Sequence, residues 1–251
     1  MEFSKMKKIA ICCGSFIALC GSIWVGDIVS NKAFDRVTKA SAAESMVRPQ
    51  VVLDAGHGGV DGGCVSVNGV AEKGLNLDIA LVERDMLEVL GFEVTMTRED
   101  DRSIYDEGIE GLSKQKQSDM KNRLEIFDRC KGIAVSIHQN QFTDSRYSGA
   151  QVFYSRRNGA GERLAGAVQR QFVSLLQPDN ERETKPVDDE LFLLDRTDTP
   201  AVMVECGFLS NPEEAAKLED GGYRQQVAFA IMSGVMSYRE GEVCERVEVG
   251  G

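Results

Sequence analysis

The chain holds only two histidines, and each closes an apolar run: Val51-Val-Leu-Asp-Ala-Gly-His57 and Gly132-Ile-Ala-Val-Ser-Ile-His138. A third run, Ala201-Val-Met-Val-Glu205, closes on a carboxylate, and another acid, Glu72, follows the glycines after His57. Two neutral imidazoles and one carboxylate are the donor set of an open zinc site, with a fourth position left for water. Such a centre suits amide hydrolysis when a second carboxylate stands off the metal as general base. Glu72 and Glu205 are the acids for those two roles, and position alone does not say which is the ligand.

Each residue also has an ordinary reading. A lone histidine after a strand is usually a loop or core residue, and Glu72 suits the first turn of any helix. That the only two histidines both stand at strand ends favours ligation. Glu205 follows four apolar residues into a buried environment, which costs several kcal/mol unless the acid is paired or functional. Cys206 points to the opposite face of the same strand and belongs in the core. Arg98, after another strand, suits a substrate carboxylate, an acid of the domain or plain solvation.

These residues meet only if their strands run parallel, because strand-to-helix loops then gather on one edge of the sheet. The pattern supports this. Strands are expected at Gln50–Leu53, Phe92–Thr97, Ile133–Ile137, Ala150–Tyr154, Leu191–Leu194 and Ala201–Glu205. Between them, apolar residues recur at helical spacing: Leu75, Ile79, Val82, Met86 and Leu90; Met120, Leu124 and Phe127; Leu164, Val168, Phe172 and Leu175. Ser113 is expected to cap the second of these helices, and Asn211-Pro212-Glu213-Glu214 opens another with a cap, a proline and acids at the dipole's positive end. Residues 178–187 are polar and weakly patterned and read as a loop. A final helix carries Tyr223, Val227, Ile231, Val235 and Tyr238. Alternating strands and helices specify an α/β domain: one six-stranded, mostly parallel twisted sheet flanked by helices on both faces.

The glycines at 56, 58, 59, 62 and 63 follow neither the dinucleotide nor the phosphate-loop spacing, so a nucleotide is poorly supported. The net charge of −11 repels nucleic acid and anionic lipid, and no basic stripe offsets it. Lys5, Lys7 and Lys8 precede an apolar segment, Ile9 to Val25, which is expected to export the domain. The domain is then extracytoplasmic, held to the membrane by residues 9–29 or released by cleavage. The expected organisation is a signal or anchor over 1–30, a tether over 31–48, a catalytic domain over 49–239 and a loose acidic tail over 240–251. The widely spaced Cys64, Cys130, Cys206 and Cys244 form no zinc-ribbon pattern and read as mostly buried thiols.

Four ordered motifs carry a resemblance: Asp54-Ala-Gly-His57-Gly-Gly, Glu72-Lys73, Ser136-Ile-His138-Gln-Asn140 and Val204-Glu205-Cys-Gly-Phe-Leu-Ser-Asn211. Together, over roughly residues 49–239, they resemble the zinc-dependent N-acetylmuramoyl-L-alanine amidases of the amidase-3 type. Gly111-Leu-Ser-Lys-Gln-Lys116 before a helix, with the amino-terminal segment, is similar to the germination-specific branch that acts on spore cortex. The resemblance implies Zn²⁺ held by His57, Glu72 and His138, with Glu205 as the catalytic acid/base. It implies peptidoglycan as substrate, cut between the lactyl group of muramic acid and L-alanine, and a separate muramic acid deacetylase as functional partner. A protein activator stays open. Gln139 departs from the expected pattern and is expected to alter substrate contacts beside the metal. Another zinc-dependent wall hydrolase (carboxypeptidase or deacetylase) and a non-catalytic wall-binding module are the rival readings.

Overall fold

The computed structural model describes residues 48–249, with side chains described to position 241. The anchor expected over 1–30 and the tether up to residue 47 lie outside the described residues. Among the described residues, no helix is long and apolar enough to cross a membrane.

The strands are β1 (Gln50–Ala55), β2 (Glu93–Met96), β3 (Ile133–Asn140), β4 (Gln151–Ser155), β5 (Lys185–Val187) and β6 (Ala201–Phe208). The helices are α1 (Glu72–Val89), α2 (Leu112–Arg129), α3 (Gly159–Gln171), α4 (Phe192–Arg196), α5 (Pro212–Glu219) and α6 (Gly221–Val249); a π-helical turn, Phe172–Leu176, extends α3. The sheet order is β2-β1-β3-β6-β4-β5. Every neighbouring pair is parallel except β4 with β6, so the sheet is mixed.

Alternation along the central strands sends side chains to two cores. Val51, Leu53 and Ala55 of β1 pack with Leu75 and Ile79 of α1, Leu164 and Val168 of α3, and Val227 and Ile231 of α6. Val52 of the same strand and Ala134 of β3 pack on the other face with Phe127 of α2 and with Leu193 and Leu194 of α4. Parallel strands covered on both faces read as continuous apolar runs, which is why β1, β3 and β6 were visible in the sequence.

Several expectations need correction. Leu191–Leu194 is not a strand; Phe192–Arg196 forms the short helix α4, and the sixth strand is β5, in the stretch expected to be a loop. β5 is a three-residue edge strand containing Pro186, and an edge strand tolerates a missing N–H. Ser113 does not cap α2. Gly111 stands at that position with φ 91 and no side-chain cap bond, and Ser113 lies within the first turn. Asn211 does cap α5: its side chain accepts from Glu213 N at 3.0 Å and Glu214 N at 3.1 Å. The tail from 240 continues α6 as helix to Val249 rather than running loose.

Candidate metal centre

β1 and β3 run parallel and in register, Asp54 against Ser136 and Ala55 against Ile137, so the residues after them leave on the same edge. His57 follows β1, and His138 lies near the end of β3. Their rings meet edge to face with centroids 4.9 Å apart and an interplanar angle of 76°. Two glycines permit this approach. A Cβ on Gly56 would lie 2.3 Å from His138 Nε2, and one on Gly63, at φ 68, would lie 2.5 Å from Glu72 Oε2.

Glu72, the first residue of α1, is buried between the rings. Its Oε2 is 3.3 Å from His57 Nε2, and its Oε1 is 3.0 Å from His138 Nδ1. One donor atom from each of His57, Glu72 and His138 lies within 4.8 Å of the others. This donor set fits a divalent zinc ion: two imidazoles and one carboxylate, converging from two strand ends and a helix start.

The electrostatics agree. Burial opposes ionisation of Glu72, yet hydrogen bonds and charge from His138 and His57 prevail and hold it far below the ordinary carboxylate range. Burial likewise opposes protonation of His57, but Glu72 and then Asp61 prevail and raise it to about 8. A metal ion held here would have to displace the His57 proton, since a ligating imidazole is neutral.

Glu205 is the register partner of His138 in the β3–β6 ladder and shares its face. It forms no hydrogen bond through Oε2, which is sealed from solvent. Burial first, then the charge of Glu72, raises its carboxyl to about 7 against the opposing pull of His138 and His57. An acid poised there both accepts and donates a proton near neutral pH.

Supporting residues hold the loop after β1. Arg98 and Arg123 are both almost wholly buried. Arg98 donates to the carbonyls of Ala55, Gly56, Lys73 and Asp100. Arg123 donates to Ala55 O at 3.0 Å and His57 O at 2.7 Å, and pairs with Asp54 and Asp119. The bonds to its carbonyl neighbourhood hold His57 at φ 63, an uncommon value for a residue other than glycine. Asp61 sets the ring: its Oδ2 is 3.0 Å from His57 Nδ1 and its Oδ1 is 2.9 Å from Lys116 Nζ.

The structure thus brings together His57, Glu72, His138 and Glu205, and leaves Cys206 fully buried in the core. Two expectations fail. Arg98 is neither a substrate clamp nor a solvated charge but a structural donor to backbone carbonyls. Gln139 is 3% exposed and points behind Glu72, not toward substrate. Asp61, Asn76, Arg123 and Lys116 were missed. Asp61 follows His57 by four residues and Asn76 follows Glu72 by one helical turn, and those spacings were the available signals. Cys64, Cys130 and Cys206 are free thiols, only the last fully buried; the side chain of Cys244 lies outside the described residues.

Fold and site define a three-layered α/β domain with a candidate metal centre at the carboxyl ends of its parallel strands. Residues 51–237 match the family described as N-acetylmuramoyl-L-alanine amidase (Amidase_3), and the chain belongs to this family. It is a peptidoglycan hydrolase that cleaves the amide between muramic acid and L-alanine. Among its relatives, the germination-specific N-acetylmuramoyl-L-alanine amidase of Bacillus subtilis is 34% identical over 189 residues, covering 75% of this chain and 78% of that one. The AmiA amidase of Escherichia coli is 29% identical, covering 80% of each. The CwlD amidase of Clostridioides difficile, solved with the GerS lipoprotein, superposes with a TM-score of 0.74 at 38% identity over 77% of this chain and 99% of that one.

Proposed function

We propose that this amidase is a zinc enzyme in which His57, Glu72 and His138 hold the ion and Glu205 moves the proton. What supports the assignment is one contrast: three donors converge within 4.8 Å, while Glu205, against His138 in the ladder, keeps a buried oxygen without a partner. Bound there, zinc supplies Lewis-acid polarisation of the scissile carbonyl and activation of water near neutral pH. Glu205 takes the proton of the attacking water and delivers it to the nitrogen of the departing L-alanine. Asp61 keeps His57 turned so that Nε2 faces Glu72. Arg123 holds the His57 carbonyl, and Arg98 holds those of Ala55 and Gly56 just before it.

The setting we propose is spore cortex, by similarity to the germination-specific relative. There, peptide removal exposes muramic acid to a deacetylase, and a lipoprotein-class partner, as with the Clostridioides difficile neighbour, docks on the enzyme. Export by residues 9–29, as anchor or cleaved signal, would bring the domain to that substrate. Chelator-treated protein reconstituted with zinc is expected to release free stem peptides and leave the glycan intact by mass analysis. Loss of a terminal amino acid or of acetate instead, or no recovery with any divalent ion, would sink this reading.

A further inference from the structure

Behind the candidate metal centre, α1 carries a line of buried polar side chains. Glu72, Asn76 and Glu83 sit at i, i+4 and i+11 and so share one helical face. Asn76 is fully buried. Its Nδ2 donates to Glu72 Oε1 at 3.1 Å and to Gly56 O at 3.2 Å. Gln139 follows His138 on β3, so when His138 faces the site Gln139 faces the opposite way, into the space beside α1. Its backbone N–H donates to Glu72 Oε1 at 2.9 Å, and its Nε2 donates to Asn76 Oδ1 at 3.1 Å.

An amide has two unlike ends, so Asn76 can present its NH₂ to Glu72 only while its oxygen finds a donor elsewhere. Gln139 is that donor. It serves at a cost, since its own Oε1 is buried without a partner. An orphaned oxygen in a sealed site is unfavourable, and an apolar side chain of similar size would avoid it. The amide is therefore accounted for by what its NH₂ does rather than by packing.

We propose that Gln139 and Asn76 form a two-amide positioning pair: Gln139 sets the orientation of Asn76, and Asn76 with the Gln139 backbone holds Glu72 Oε1 in its ligating pose. One strand then supplies both an imidazole, His138, and the brace for the carboxylate beside it. This rests on the reading of Glu72 as a metal ligand.

The test is zinc affinity, measured by competition with a chromogenic chelator, beside the melting temperature of the chelator-treated protein. Gln139→Met, near in size and without polar hydrogen, is expected to weaken zinc binding roughly tenfold or more while the metal-free melting temperature holds or rises. Asn76→Ala is expected to weaken it at least as much. The double variant should lose no more than Asn76→Ala alone, because Gln139 acts through Asn76. Unchanged affinity in Gln139→Met, or additive losses in the double variant, overturns the proposal. Should Asn76→Ala not fold, Gln139→Met decides alone. Glu72→Ala separates the two layers: full zinc affinity in that variant refutes the ligand reading itself, whereas its loss beside a normal Gln139→Met refutes only the brace.

Discussion

His138 and Glu205 are register partners across the parallel ladder of β3 and β6, and both project to the face where His57 and Glu72 converge. His138 meets Glu72 through Nδ1 at 3.0 Å, while Glu205 keeps a sealed, unpartnered oxygen. Adjacent positions in one ladder thus take different parts, one facing the carboxylate of the cage and one left available for proton transfer.

Glu205→Gln keeps the shape and removes the proposed proton shuttle. Turnover is expected to fall about 10²–10⁴-fold, the usual range for a lost general acid/base. Zinc affinity by chelator competition should stay within about twofold of wild type, since general bases stand off the metal. Loss of zinc together with activity would make Glu205 a ligand instead.

Asp61 tests the support of His57. Replacing it with alanine removes the acceptor at His57 Nδ1 and frees Lys116. Zinc affinity is expected to drop about 10–100-fold, as for other partners behind a ligating histidine. Asp61 is about a quarter exposed, so the metal-free protein should lose less than about 1 kcal/mol by urea unfolding. An unaltered zinc isotherm would place the control of the ring elsewhere.

Arg123 is the buried charge on which the loop after β1 depends. Its removal by Arg123→Met leaves the buried Asp54 carboxyl without its cationic partner and with only Ser136 and Thr97 as donors. Breaking one side of such a pair typically costs about 3–5 kcal/mol. Urea unfolding should show that loss, and a change under about 1 kcal/mol would mean the loop is held mainly by Arg98.

Glu83 is fully buried in α1 with neither carboxylate oxygen bonded, and burial raises its carboxyl well above 4.5. The folded chain therefore binds this proton more tightly than the unfolded chain. Its contribution is complete below the ordinary glutamate range and is lost as pH rises toward the folded pKa, at up to about 1.4 kcal/mol per pH unit. Glu83→Gln is expected to flatten that fall in urea stability as pH rises above the ordinary glutamate range, relative to wild type. Parallel curves for the two proteins would contradict the assignment.

The strand ends were legible because parallel strands buried on both faces must be written as apolar runs, so His57, His138 and Glu205 stand out where those runs stop. Edge and short elements were not. β5 is three residues with a lysine and a proline, and its neighbour Leu191–Leu194 is apolar enough to read as strand or helix until packing against Phe127 decides. Gln139 was misplaced for a related reason: side-chain direction on β3 follows from which face His138 takes, and that is set by partners distant in the chain.

By itself, then, the sequence determined the fold class, the edge on which chemistry gathers and the four residues offered to it, since periodicity and strand-end chemistry are local and survive without coordinates. Only the tertiary structure decided that Glu72 lies between the two imidazoles while Glu205 stands aside, and that Asp61, Asn76, Gln139 and two arginines brace them. Such hydrogen bonds join residues up to 69 positions apart, and no local pattern encodes a partner that folding alone brings within 3 Å.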